Sequence, residues 1–93
     1  MNLPTKIEDV ADFLDAYVKE AEKSSEEERL EACLAAELMN FERLAPDQKR
    51  KSLVRLAAAH VALHLREENV RSTASRHNVT MALARLRFET RAR

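Results

Sequence analysis

Apolar residues recur at three- and four-residue intervals along most of the chain, which is the period of an α-helix and not of a strand. Ile7, Val10, Ala11, Leu14, Tyr17, Val18 and Ala21 fall on one face of a first helix predicted over about residues 5–23. Thr5 and Glu8 stand three apart at its start, the spacing of a capping box in which each side chain satisfies the other's free backbone donor. Ser25 and Glu28 repeat that spacing and open a second helix, about 25–45, through Leu30, Cys33, Leu34, Leu38, Phe41 and Leu44. Glu26, Glu27 and Glu28 crowd its first turn, where the positive end of the helix dipole favours them.

Pro46 ends the second helix and suits the first turn of a third, because that position leaves its backbone donor unpaired in any case. The third helix, about 46–69, is apolar around most of its circumference from Leu53 to Leu65, which predicts a central helix with several neighbours. The segment from about 70 to 92 supports two readings. In a continuous helix, Val70, Ala74, His77, Met81, Ala84 and Phe88 form one stripe and Val79, Leu83 and Leu86 a shorter one on the opposite side, one facing the domain and the other a partner. In the other reading a short helix stops near Asn78 and Thr80 caps a final one.

The expectation is an all-α protein: a single domain over residues 1–93, folded as a compact bundle of three or four helices with the third central. A chain of this length buries only about 60 to 65% of its unfolded surface, so a homodimer with the last helix at its interface is expected. The absence of glycine and the presence of only Pro4 and Pro46 disfavour hairpin-rich β folds. Cys33 is the only cysteine, so an intramolecular disulfide and a cysteine-based zinc cage are excluded and a reducing, cytoplasmic setting fits. The N-terminus lacks the pattern of a secretory signal, and the apolar run from Leu53 to Leu65 is interrupted by Arg55, His60 and His64, so no membrane span is expected.

Charge divides the chain. Residues 1–46 hold five Lys and Arg against twelve Asp and Glu, a formal charge of −7, whereas residues 47–93 hold eleven against four, or +7. Near-neutral overall charge therefore conceals a basic C-terminal half. On a continuous last helix Arg76, Arg87 and Arg91 fall within about 60° of arc and span about 22 Å, a ridge long enough to follow duplex phosphates. Arg71 and Arg85 flank it. The function expected from this pattern is a small non-enzymatic nucleic-acid-binding or regulatory protein, contacting duplex phosphates through Arg71, Arg76, Arg85, Arg87 and Arg91. The rival expectation is a protein-interaction module, an adaptor, assembly factor or inhibitor, docking through the acidic helices or through Val79, Leu83 and Leu86.

Other motifs are less complete. Thr73 to Arg87 faintly resembles a helix-turn-helix, with Ala74 at the small position and Asn78 at the turn, but Arg87 stands where that motif has an apolar core residue. In size and charge alone the chain is similar to small helical dimers that grip double-stranded RNA by shape, such as nodavirus silencing suppressors. His60, His64 and Glu68 share a helix face and could contribute to a metal site, but no second motif completes it and no metal or cofactor is assigned. Cys33, Met39, Met81 and Phe88 are read as packing residues, and Asp9, Asp12, Asp15, Glu31 and Glu37 as a solvated acidic surface.

Overall fold

A computed structural model describes residues 3–22, 27–66 and 73–91 of the chain. Four α-helices account for nearly all of them: α1 (Val10–Ala21), α2 (Glu27–Leu44), α3 (Gln48–Arg66) and α4 (Thr73–Arg91), with a 3₁₀ turn at Ile7–Asp9 leading into α1. No strand occurs among the described residues, so the all-α expectation holds. No described helix is long and apolar enough to cross a membrane.

The start of the chain differs from the capping-box expectation. Lys6 precedes the 3₁₀ turn without a side-chain cap, and the Asp9 amide bonds to the Lys6 carbonyl at 3.1 Å. The tight turn lays Ile7 against the core, so packing of that side chain takes the place of the Thr5–Glu8 exchange. From there the apolar period reads through as predicted, with Val10, Ala11, Leu14, Tyr17, Val18 and Ala21 all buried.

The predicted Ser25–Glu28 box lies outside the described residues, as do the side chains of Leu30 and Cys33. Farther along α2, Leu34 and Phe41 are buried, and Phe41 meets Phe13 of α1 edge to face with ring centroids 5.2 Å apart. This geometry matches the ring quadrupoles and joins the two acidic helices at their apolar sides. Met39, read as a packing residue, is instead 65% exposed.

Pro46 stands outside α3, and the cap is made by Asp47. Its Oδ1 accepts the Arg50 amide at 2.8 Å, and the Arg50 guanidinium returns to the other carboxylate oxygen. That amide is one of the four that a helix start leaves unpaired. α3 packs against α1, α2 and α4. Leu53, Val54, Ala57, Ala58, Val61, His64 and Leu65 are its buried residues.

α4 is one continuous helix across Asn78, which removes the turn that a helix-turn-helix requires there. Thr80 does not cap a new helix: its hydroxyl donates to the Arg76 carbonyl one turn back, at 2.9 Å. α3 and α4 run antiparallel, tied at one end by Lys49 and Glu89 (2.8 Å) and at the other by His64 and Ser75 (2.7 Å). Their joint packing decides which stripe of α4 faces inward. Val79, Leu83 and Leu86 are buried, at 1%, 1% and 0% exposure, and with Ser75 make up the inner side. The longer stripe of Ala74, His77, Met81, Ala84 and Phe88 faces out.

Candidate interaction surface

The arginine ridge exists, and α1 occupies it. Arg87 Nε donates to Asp12 Oδ1 at 2.9 Å, Arg91 Nη2 reaches Asp12 Oδ2 at 3.1 Å, and Arg87 Nη2 lies 3.7 Å from Asp15. Arg76 approaches Asp15 at 3.5 Å through Nη2, and its buried Nη1 stands 3.7 Å from Glu22, an ion pair too long for a hydrogen bond. Acids on one side of α1 thus meet basic residues on one side of α4 along antiparallel helices. The guanidinium groups of this ridge already have anionic partners. Arg85, assigned to the same nucleic-acid surface, lies on the other side of α4 toward α3, and Arg71 lies outside the described residues.

Beneath the ridge is a buried polar node. His64 is fully buried and Ser75 nearly so. His64 Nε2 lies 2.8 Å from Glu22 Oε1, and Nδ1 lies 2.7 Å from Ser75 Oγ. An ionised carboxylate only accepts, so in the neutral ring Nε2 carries the proton and Nδ1 accepts from the serine hydroxyl. A serine, a histidine and a carboxylate in line are also the parts of a nucleophilic triad. Here Ser75 is 7% exposed and His64 0%, and both are engaged in joining α4 to α3 and α1. His64 therefore points away from the metal arrangement considered with His60 and Glu68. Glu68 is outside the described residues, and among the described ones no group of three or more His, Cys, Asp or Glu side chains could hold a metal ion.

The opposite side of the molecule is different in kind. Leu56 and Leu63 on α3 are 43% and 54% exposed, and Met81 and Phe88 on α4 are 56% and 70% exposed. With Ala59, Ala74 and Ala84, also exposed, they make an apolar face across the α3–α4 pair. Between the helices lies a shallow groove of about 290 Å³ lined by Leu56, His60, Asn78, Met81, Ala82 and Arg85. Single exposed apolar residues are common, but four large ones on neighbouring helices, two of them lining a groove, are characteristic of interaction surfaces. No protein-family model, curated protein or solved structure matches this chain.

This face corrects the predicted interface. Val79, Leu83 and Leu86 belong to the core because their stripe is continuous with Ser75, which bonds to His64, and is flanked by the arginines that meet α1. Met81 and Phe88, read as packing residues, are surface residues for the same reason. α3 contributes Leu56 and Leu63, which differ from the expectation of a helix covered on most sides because, among the described residues, one of its sides has no neighbouring helix. The available signal was the spacing of Leu56, Ala59, His60 and Leu63, which forms a second stripe on the side away from Val54, Ala57 and Val61.

A second groove, of about 230 Å³, lies between α2 and α3 and is lined by Met39, Glu42, Arg43, Gln48, Lys51 and Arg55. Arg55 donates to both Glu42 oxygens, at 2.6 and 3.4 Å, and this bond holds the Glu42 carboxyl below its ordinary range. Within the groove Glu42 and Arg55 are paired with each other.

Proposed function

We propose that the protein is a helical protein–protein interaction module whose working surface is the outer face of α3 and α4. The observation that supports this reading is the joint exposure of Leu56, Leu63, Met81 and Phe88 on α3 and α4, with Leu56 and Met81 lining a groove. Burying such side chains contributes about 1.5–3 kcal/mol each, so a partner that covers several of them gains enough to bind. The duplex-phosphate reading has less support, because Arg76, Arg87 and Arg91 are engaged by Asp12, Asp15 and Glu22. A homodimer through the same face is the competing use of it.

A photo-crosslinking residue placed at position 81 or 88 tests the reading, with positions 80 and 91 as comparison sites on the α1-facing side of α4. The module reading expects protein adducts from 81 and 88 and few from 80 and 91. Adducts to nucleic acid from 80 and 91, with none from 81 and 88, contradict it.

A further inference from the structure

We propose that the partner is an acidic amphipathic helix that seats an apolar side chain in the groove between Leu56 and Met81 and sets a carboxylate against Arg85. This rests on the interaction-module reading above and specifies the partner's chemistry.

The groove supplies the argument. Its apolar walls are Leu56, Met81 and Ala82, and its polar groups are His60, Asn78 and Arg85, each able to donate a hydrogen bond. His77 adds a donor elsewhere on the exposed side of α4. Among the described residues, this outer face has no carboxylate of its own. The nearest is Glu89 at its edge, one turn from Arg85; Lys49 holds it at 2.8 Å and chiefly lowers its pKa, with a smaller contribution from the Arg85 charge.

Among the described residues, a second copy of the face would bring arginine and histidine against arginine and histidine, with no acceptor carboxylate in between. An isologous dimer is therefore poorly matched in charge, whereas a partner carrying acids beside its apolar stripe is matched. A helix is the form that fits. The surface is a groove between two antiparallel helices, and among the described residues it offers no strand edge for an extended peptide to join. Anionic lipid is a weaker match, because surface attraction to such membranes takes clusters of about four to eight basic residues.

The test uses the full chain and three fluorescent helical peptides with the same leucine stripe, flanked by Glu, Gln or Lys. Binding is read by anisotropy across a salt series, with sedimentation of the chain alone and pelleting with phosphatidylserine vesicles alongside. The expected result is that the Glu peptide binds about tenfold or more tighter than the Gln peptide, with the advantage shrinking in salt. Arg85→Glu should transfer the preference to the Lys peptide, and Met81→Asp should abolish binding of all three while the circular dichroism melt is unchanged. Equal binding of the Glu and Gln peptides, or self-association that Met81→Asp removes, overturns the acidic partner but leaves the interaction surface standing. Binding to vesicles in place of peptides, or no binding by any probe, overturns both.

Discussion

His64 Nδ1 and Ser75 Oγ lie 2.7 Å apart in the protein interior, and this contact fixes the rotation of α4 about its own axis. With Ser75 turned inward, Val79, Leu83 and Leu86 follow it into the core and Met81 and Phe88 are left outside. The contact joins the end of α3 to the start of α4, so it also sets the groove between them.

Removing the hydroxyl tests this role. Ser75→Ala leaves the His64 nitrogen unpaired in the interior, which costs about 1–3 kcal/mol. For a chain of this size the thermal midpoint should drop by about 4 °C or more. Ala74→Ser, one residue away on the exposed side, should change it little.

The two stripes of α4 should respond in opposite ways. Leu83→Ala removes buried volume and should destabilise by about 2–5 kcal/mol in urea titrations. Met81→Ala, at a 56% exposed position, should stay within about 0.5 kcal/mol of the parent. Equal effects at the two sites would mean that α4 is rotated.

α4 shows which features of the fold are written locally in the sequence and which are not. Helix period and apolar stripes are legible, as are α1 and the arc of about 60° that holds Arg76, Arg87 and Arg91. The inward side of α4 is not, because both of its stripes are apolar enough to be buried and the choice depends on long-range pairings. Ser75 with His64, and Arg87 with Asp12, are 11 and 75 positions apart. The acids were visible too. Asp12, Asp15 and Glu22 share one side of α1 just as the arginines share one side of α4, and only the antiparallel packing of the helices shows that the two sets meet.

The α1–α4 ion pairs predict a conditional nucleic-acid affinity. The parent chain should show little binding to duplex DNA or RNA at physiological salt. Asp12→Asn with Asp15→Asn should release the arginines and produce binding that falls steeply with salt. The same double variant should lose only about 0–1 kcal/mol of stability per pair, because the pairs are partly solvated. Steeply salt-dependent binding by the parent would favour the phosphate reading.

Acid should weaken the fold through three surface carboxyls. Glu42 is lowered by the Arg55 side chain, Asp47 by the Arg50 amide and Glu89 by the Lys49 side chain. Each folded value lies below the unfolded one, so the contribution is complete above the ordinary values of 4.5 for glutamate and 3.8 for aspartate and is lost as pH falls through the lowered ones. Urea midpoints should therefore fall as pH drops below about 4.5. Arg55→Gln should reduce the part of that fall due to Glu42, whereas an unchanged acid profile would assign it to other groups.

The claim that the outer face of α3 and α4 is the working surface is tested most directly by hydroxyl-radical footprinting of the chain, alone and with the Glu-flanked peptide. The account predicts that Met81 and Phe88 are modified readily in the free chain and protected by the peptide, while Val79, Leu83 and Leu86 stay protected throughout. Modification of Leu83 and Leu86 with protection of Met81 and Phe88 in the free chain would contradict it.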